Sequence, residues 1–399
     1  MIDSKSQAGL DRLHEAMAAR VARGELPGMV TLVARDEDTY VDAIGMKAFG
    51  GDEPMRRDTI FRITSMTKPI LALATMMLVE DGKLALDEPV DRLLPELADR
   101  KVLKRIEGPL DETVPANRPI TARDLLTFRM GHGLIMEPTF DPPFPIVIAA
   151  RDLDLVMGPP DPRTPHHPDE WIRRFGTLPL ECQPGERWQY NTGSLVLGVL
   201  VARASGQPLA DFMRARIFEP LGMRDTGFSV SVQQARRLPS FYQTNFQTGK
   251  VEPQTVSGPS VWTTPPPFPS GAAGLVSTID DYLAFGRLLL NAGVHRDRRL
   301  VSARSVELMT TNHLTPEQMA GGGPILGGRG WGFLMSVVTA PDDVSSVPGR
   351  YGWNGGYGTF WFNDPSRRLV AIAMTQTTDV IFNGAMTEFA KLAIGSYEN

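Results

Sequence analysis

The sequence predicts an α/β fold in which both ends of the chain contribute strands and helices to one body, with a mainly helical region inserted between them. Strand-like apolar runs occur near residues 29–44 and again near 350–374. The stretch between them shows helical spacing and long Pro-rich loops. We therefore expect a discontinuous α/β domain of residues 1–82 and 270–399 around a helical domain of residues 83–269.

The first elements follow from the spacing of apolar residues. Residues 5–23 place apolar side chains three or four apart, which predicts one helix that ends at Gly24. The predicted strands that follow are, in order, 29–34, 39–44 and 61–63. Ser65 then opens a strongly apolar helix that ends at Gly82.

The middle of the chain combines helices with Pro-rich loops. The predicted helices are 122–128, 195–204 and 209–217. The loops richest in proline are 137–145, 158–168 and 265–269. Long loops inside a compact protein are usually functional, and aromatic side chains such as Phe140 and Trp171 lie in or beside them. We expect these loops to form pocket walls.

The last part of the chain returns to mixed character. Ser277 and Thr278 are expected to cap a helix over 279–290, and Asp280 and Asp281 then lie in its first turn. We interpret this acidic pair as helix capping, not as a catalytic dyad. The predicted strands that follow are 350–353, 358–362 and 369–374, and the predicted closing helix is 383–394.

Composition excludes several classes of protein. The net charge of −5, with no long basic stripe, argues against a nucleic-acid partner. The sequence contains no run of about 18 apolar residues, so it predicts no membrane span. Its N-terminus lacks the apolar region of a secretory signal. We expect a cytoplasmic protein whose partner is a small molecule, and the sequence predicts no particular oligomeric state. The scattered histidines predict no metal site.

Ser65 and Lys68 form the motif most suited to catalysis. The Ser-x-x-Lys spacing at a helix start puts both side chains on one face. There the free N–H groups and the helix dipole stabilise a developing oxyanion near Ser65. A buried Lys68 loses solvation and shifts towards its neutral form. A neutral amine accepts the serine proton, so the pair is an activated nucleophile.

This motif also has simpler interpretations. About one Ser-x-x-Lys is expected by chance in a chain of this length, and a capping serine followed by an exposed lysine has the same spacing. Cys182, the only cysteine, is a second nucleophile in principle. Its neighbours Glu181 and Gln183 offer no evident activating base, so we interpret it as a plain thiol.

Several further segments resemble class C β-lactamases and their esterase relatives, most of all the family VIII carboxylesterases. The matching segments are residues 61–68, 81–84, 86–90, 120–127, 184–190, 206–209 and 220–223. The resemblance implies a β-lactamase-like fold with a central antiparallel sheet flanked by helices. It also implies a serine hydrolase that cleaves carboxylic esters and needs no metal or organic cofactor.

The resemblance implies a role for each matching position. Ser65 matches the nucleophile and Lys68 the lysine that activates it. Tyr190 falls on the tyrosine of the Tyr-x-Asn motif, which shuttles protons to and from the nucleophile; the alternative is an aromatic packing residue. The third position of that motif is Thr192, and Asn191 comes one place early. Both are candidate substrate-binding residues, although a threonine lacks the two-sided hydrogen bonding of an amide.

The third motif, Lys-Thr-Gly in β-lactamases, aligns with Trp353, Asn354 and Gly355. A lysine there attracts a substrate carboxylate, whereas an indole offers apolar surface and one N–H donor. The substitution therefore predicts neutral esters, with Trp353 and Gly355 in the substrate site. The N–H groups of Gly356 and Ser65 are expected to form the oxyanion hole. A plain Gly-rich hairpin is the alternative.

Other functions share parts of this pattern. A β-lactamase or DD-peptidase uses the same nucleophile, but a cationic third motif and an export signal are expected there. An acyltransferase passes the acyl group to another alcohol or amine, and a catalytically silent scaffold keeps only the fold. An α/β-hydrolase is disfavoured because the chain has no Gly-x-Ser-x-Gly elbow.

Overall fold

A computed structural model describes residues 4–135, 143–157, 164–245, 247–254 and 259–397. Within these residues the chain builds a seven-stranded antiparallel sheet. Its strands, numbered in chain order, are β1 Gly28–Arg35, β2 Asp38–Gly45, β3 Gly330–Trp331, β4 Ser336–Val337, β5 Tyr351–Gly355, β6 Thr359–Asp364 and β7 Leu369–Met374. They lie in the order β3-β4-β5-β6-β7-β1-β2.

The two ends of the chain meet within this sheet, one strand in from its β2 edge. β1 pairs with β7, so that Val30 lies opposite Met374, and with β2, so that Val30 lies opposite Ala43. This pairing confirms the predicted strands at both ends. β3 and β4 were not predicted, because two residues are too short to show an alternating pattern.

Helices make up most of the remaining described structure. They are α1 Ser4–Ala22, α2 Thr67–Glu80, α3 Ala122–Leu126, α4 Pro145–Asp152, α5 Pro168–Phe175, α6 Thr192–Ser205, α7 Leu209–Met213, α8 Glu219–Leu221, α9 Val232–Ala235, α10 Pro259–Trp262, α11 Ile279–Leu290, α12 Ala303–Thr310, α13 Pro316–Gly321, α14 Gly323–Leu326 and α15 Ala385–Gly395. The paired short strands are Phe61–Arg62 with Val276–Ser277, Lys101–Leu103 with Thr113–Pro115, Tyr242–Thr244 with Val251–Pro253, and Val294–His295 with Arg298–Arg299. None of the helices in the described ranges is long and apolar enough to cross a membrane.

The sheet separates two cores, as the alternation along β1 shows. Val30 and Leu32 belong to the larger core, which also holds the apolar side chains of α2, α6 and α11. Met29 and Val33 belong to the smaller core, which α1 and α15 cover. Successive side chains of a strand point to opposite faces, so both faces of this sheet are covered by helices.

The contact between α2 and α6 places the site. Both helices are apolar on nearly every face and buried along most of their length, as expected for central helices. The segment that passes beside them depends on glycine at 271. A Cβ there would lie 2.7 Å from Leu71 Cδ2 and 2.8 Å from the Ser194 carbonyl oxygen. The close approach brings the next residue, Ala272, to the start of α2.

Several predictions need a correction or lie outside the described residues. The helix predicted over 209–217 is α7 followed by a π-helical turn, Arg214–Phe218. Residues 136–142 and 158–163, which include Phe140 and most of two predicted loops, lie outside the described residues. The domain boundaries at 82 and 270 stay predictions. The capping of α11 is confirmed for Thr278, whose side chain accepts from the Asp281 N–H, whereas Ser277 ends the short strand Val276–Ser277 and contacts Thr226.

Candidate active site

Ser65 lies in a strained turn at the start of α2. The 3-10 turn Thr64–Met66 precedes the helix, and Thr64 has φ 42°, in the left-handed region that β-branched residues rarely adopt. At the last residue of this turn, the Met66 carbonyl oxygen accepts a hydrogen bond from Tyr282 Oη at 2.9 Å. Strain of this kind persists only where the surroundings hold the backbone. The turn therefore presents Ser65 in one fixed position.

Strands β5 and β6 both pack against the turn Thr64–Met66. Thr359 is the first residue of β6. Thr359 Oγ1 donates to the Ile63 carbonyl oxygen at 3.2 Å. A Cβ at Gly355 would clash with that carbonyl oxygen and with Thr359 Oγ1. Only glycine permits this approach. Gly356 follows Gly355 in the turn after β5 and is half-buried, and its role in an oxyanion hole stays a prediction.

Lys68 is fully buried without a counter-charge. Its Nζ lies 3.0 Å from Ser65 Oγ and donates to the Ala272 carbonyl oxygen at 2.8 Å. No carboxylate lies within ion-pair distance of Lys68 in the part of the chain that the structure describes. Burial therefore lowers the pKa of Lys68 well below its ordinary value. The shift favours the neutral form of this amine, which lies beside the Ser65 hydroxyl.

Tyr190 completes the contact with Ser65 from α6's side of the site. Tyr190 Oη lies 2.9 Å from Ser65 Oγ, and Trp353 Nε1 donates to Tyr190 Oη at 2.9 Å. Lys68 Nζ lies 4.7 Å from the centre of the tyrosine ring. Burial raises the pKa of Tyr190 to about 12, against the lowering effect of its hydrogen bonds with Ser65 and Trp353. The tyrosine thus keeps its proton at neutral pH.

Aromatic side chains surround the Tyr190 ring. The ring centres nearest to it belong to Phe128 at 5.5 Å, Trp353 at 5.6 Å, Trp188 at 5.8 Å and Trp331 at 6.4 Å. Edge-to-face and tilted contacts of this length are favourable. They hold the ring in place, so that its hydroxyl stays directed at Ser65.

Two further predicted residues lie beside Tyr190. Asn191 has φ 82°, and its Nδ2 donates to the Met157 carbonyl oxygen at 3.1 Å. Thr192 begins α6, is fully buried, and its Oγ1 has no hydrogen-bond partner among the described residues. The asparagine amide is thus already engaged with the protein. The substrate-binding roles of both residues stay predictions.

Three groups of this site carry no signal that the sequence analysis used. The carbonyl of Ala272 holds Lys68, and Tyr282 supports the turn after Ser65. The Arg329 guanidinium lies 5.8 Å from the Trp353 ring centre, and its Nε donates to the Leu326 carbonyl oxygen at 3.0 Å. The first is a main-chain atom, which any residue supplies. The arginine was detectable only as a cation in the Gly-rich segment 327–330.

Cys182, the other candidate nucleophile, is buried away from this cluster. Its Sγ donates to Gln189 Oε1 at 3.2 Å. Burial, with the nearby carboxylate of Glu186, raises the pKa of the thiol to about 12. A thiol that keeps its proton is a poor nucleophile, so the geometry favours Ser65.

The fold and this arrangement agree with the comparisons with known proteins. The sequence matches the family described as Beta-lactamase over residues 13–394, so the chain belongs to the β-lactamase family. Protein Rv1367c of Mycobacterium tuberculosis (strain ATCC 25618 / H37Rv) is 41% identical over 364 residues, which cover 88% of this chain and 86% of the relative. Esterase EstB of Burkholderia gladioli is 32% identical over 414 residues, which cover 97% of this chain and 94% of EstB.

Solved structures show the same likeness. EstCE1, described as a hydrolase with promiscuous acyltransferase activity, aligns with a TM-score of 0.81 at 25% identity and covers 98% of this chain and 99% of its own. These matches confirm the predicted superfamily and the β-lactamase-like fold with its central antiparallel sheet. They place the chain in a superfamily of serine hydrolases that includes named esterases.

Proposed function

We propose that this protein hydrolyses carboxylic esters through an acyl-enzyme on Ser65. One observation carries the proposal: Ser65 Oγ lies 3.0 Å from Lys68 Nζ and 2.9 Å from Tyr190 Oη. A buried amine without a counter-charge is a base, and a buried phenol with a raised pKa is an acid. The nucleophile thus contacts one group of each kind.

The acylation step follows from these positions. Ser65 Oγ attacks the ester carbonyl carbon, and the serine proton passes to Lys68 Nζ. The tetrahedral intermediate then expels the alkoxide, which takes a proton from Tyr190 Oη. Lys68 then gives its extra proton to the tyrosine oxygen, since both groups lie within hydrogen-bond distance of Ser65 Oγ. The products are a Ser65 ester and a neutral alcohol.

Deacylation reverses these roles with water as the attacking group. Water loses a proton to the Lys68 and Tyr190 pair as its oxygen adds to the acyl carbon. The intermediate then releases Ser65 Oγ, which regains a proton from the same pair. The carboxylic acid leaves and the resting site is restored. The N–H groups proposed for Ser65 and Gly356 stabilise the oxyanion in both steps.

Trp353 supports a preference for neutral esters. Its indole N–H is already donated to Tyr190 Oη, so the side chain offers the substrate mainly an apolar surface. The nearby cation, Arg329, donates to the main-chain carbonyls of Leu326 and Ile325. A substrate carboxylate would compete with these contacts for the guanidinium.

The test compares wild type and Ser65→Ala on short p-nitrophenyl esters and on a chromogenic cephalosporin. We expect ester turnover that the substitution reduces by about 10³-fold or more, and slow or no cephalosporin cleavage. Cys182→Ala is the matched control, because it removes the other candidate nucleophile, and it should keep wild-type turnover. Efficient cephalosporin turnover would instead indicate a β-lactamase. A lack of Ser65-dependent activity on either substrate would leave a scaffold.

Acyl transfer is the second candidate, since the EstCE1 neighbour is described as having promiscuous acyltransferase activity. The same acyl-enzyme serves both reactions, and only the acceptor differs. Adding a primary alcohol to the ester assay distinguishes them. If the alkyl ester forms in preference to the acid at low alcohol concentration, the protein is an acyltransferase; if only the acid forms, it is a hydrolase.

A further inference from the structure

A cavity separate from the nucleophile lies beside the main chain of Tyr190. Its volume is about 590 Å³, within the range of about 300–1,000 Å³ that small-molecule sites occupy. Helix α4 forms one wall through Ile146, Val147 and Ala150, and the lining continues through Leu134, Ile135, Pro143, Val156 and Met157. The exposed residues Arg151 and Asp154 also border it. Apart from these two, the walls are apolar.

The floor of this cavity holds two buried polar side chains, His132 and Glu181. Their side chains are 2% and 4% exposed, and His132 Nδ1 lies 3.3 Å from Glu181 Oε1. Glu181 also accepts from Gln189 Nε2 and from the Gly133 N–H. Neither ring nitrogen of His132 has a hydrogen-bond partner among the described residues. A buried polar group left without a partner destabilises a fold, and a ligand group would supply the missing hydrogen bond.

The floor is polar but carries no net charge. Burial, together with the charge of Arg100, lowers the pKa of His132 to about 3. Burial also raises the pKa of Glu181 to about 8, although the hydrogen bonds from Gly133 and Gln189 oppose the shift. Near neutral pH both groups are neutral. The two floor side chains therefore carry no charge that would pair with a charged ligand, whereas a carbonyl or hydroxyl group finds a hydrogen-bond partner.

Two main-chain contacts connect this cavity to the reacting groups. The Leu134 N–H donates to the Tyr190 carbonyl oxygen at 2.8 Å, and Asn191 Nδ2 donates to the Met157 carbonyl oxygen at 3.1 Å. Leu134 and Met157 both line the cavity. The cavity thus adjoins the main chain of Tyr190, while Trp353 contacts the hydroxyl at the other end of that residue. The leaving alcohol, protonated at that hydroxyl, is assigned to the Trp353 side.

We propose that this cavity binds the acyl part of the ester, an apolar chain that carries one uncharged hydrogen-bonding group for His132. The proposal rests on the proposed ester hydrolysis at Ser65 and names its substrate class. A chain in the cavity buries apolar surface on α4 and satisfies the histidine at its far end. An acetyl group has one methyl carbon beyond its carbonyl and no further hydrogen-bonding group, so it offers neither the apolar chain nor the partner for His132.

The first experiment narrows the cavity with Ala150→Phe and, as a milder second variant, Val147→Phe. We expect kcat/KM for p-nitrophenyl octanoate to fall by at least about tenfold while turnover of the acetate stays within about twofold. Ile148→Phe is the matched control, because Ile148 lies on the same helix but is exposed and does not line the cavity. Thermal unfolding of each variant shows that it is folded.

The outcomes separate this proposal from the function on which it rests. Ser65-dependent turnover of both esters, with an unchanged octanoate-to-acetate ratio in the two folded variants, would overturn the cavity assignment and leave the hydrolase standing. The same is true if narrowing changes selectivity along a series of alcohols but not along a series of acyl chains. Absence of Ser65-dependent turnover of either ester in wild type would overturn both proposals.

The second experiment tests the hydrogen-bonding group. Wild type is expected to prefer an oxo-substituted octanoate ester over octanoate itself by several-fold, about 1 kcal/mol of one hydrogen bond. His132→Phe keeps a ring of similar size without nitrogens and should abolish that preference, while His132→Gln restores part of it. An equal preference in wild type and His132→Phe would show that the histidine does not bind the acyl chain.

Discussion

Two polar clusters are buried near Tyr190, and burial acts on them differently. The nucleophile cluster, formed by Ser65, Lys68, Tyr190 and Trp353, contains one lysine and, among the described residues, no carboxylate that pairs with it. The cavity floor, formed by His132 and Glu181, contains a base and an acid in contact. Desolvation of a lone lysine creates a strong neutral base. Desolvation of the pair leaves two weak, uncharged hydrogen-bonding groups.

The difference teaches that burial alone does not identify a catalytic group. Both clusters contain pKa values far from ordinary, which is a common sign of function. Only the nucleophile cluster places its shifted base within hydrogen-bond distance of a hydroxyl nucleophile. We therefore assign proton transfer to one cluster and substrate recognition to the other.

The largest effect is expected from Lys68→Met, which removes the base but keeps an apolar side chain of similar length. Turnover of p-nitrophenyl acetate should fall by about 10²–10⁴-fold, the range for one general base. His132→Phe, which alters the other buried base, should leave acetate turnover nearly unchanged. Comparable losses in both variants would break the distinction between the clusters.

The pH dependence of kcat/KM tests the state of Lys68 directly. The lysine acts only when neutral, so activity should fall about tenfold per pH unit below its lowered pKa and be level above it. Tyr190 keeps its proton up to about pH 12, and no alkaline loss is expected in the accessible range. A pH–rate profile that rises up to the ordinary lysine pKa of 10.5 would show that Lys68 is charged at neutral pH.

The pH dependence of the unfolding free energy of Glu181→Gln, compared with wild type, tests the charge state of the cavity floor. Folding raises the pKa of Glu181 from an ordinary 4.5 to about 8. The protonated carboxyl therefore contributes its full share of folding stability below the unfolded-state pKa, and this share is lost as the pH rises through the folded-state pKa. Between pH 6.5 and 8 the histidine, with an ordinary pKa of 6.5, is neutral folded and mostly neutral unfolded. Over this interval wild type should lose about 1–2 kcal/mol of unfolding free energy relative to the variant.

Urea unfolding at both ends of that interval measures this difference. The variant keeps the hydrogen-bonding shape of the protonated carboxyl, so the comparison isolates its ionisation. Parallel curves for the two proteins would mean that Glu181 is already ionised in the folded state at the lower pH, and that the cavity floor carries charge.

The smallest effect is expected from Tyr282→Phe, because the Tyr282 hydroxyl contacts only the main chain of the turn that carries Ser65. The lost hydrogen bond to the Met66 carbonyl should reduce stability by about 1 kcal/mol. We also expect kcat to fall several-fold at unchanged KM, because the Ser65 turn is less well held. Tyr351→Phe is the control, since its hydroxyl accepts from Asn363 instead. If both variants lose stability alike and neither changes kcat, Tyr282 is only structural.

The sequence was most informative where the signal is local. The spacing of Ser65 and Lys68 predicted two side chains on one helical face, and the structure brings them into contact. Apolar periodicity predicted α1, β1, β2 and the last three strands of the sheet. Tyr190 lies 125 positions from Ser65, and only the resemblance to a known family connected the two. No periodic pattern relates residues at such a separation.

What the sequence by itself determined is the set of reactive groups and the elements that carry them. It showed a serine and a lysine at one helix start, a tyrosine in a matching segment and a tryptophan where a cation is common in relatives. These conclusions rest on side-chain identity and short-range spacing, both of which can be read directly from the sequence.

Only the tertiary structure decided how those groups behave. The lowered pKa of Lys68 depends on its complete burial, while the carbonyl of Ala272, 204 positions away, holds its amine in place. The cavity floor exists because His132 and Glu181 meet across separate segments of the chain. Solvation and proton affinity are set by everything that surrounds a group in space. For that reason the roles of a base and of a recognition group, both buried, became distinct only in the folded protein.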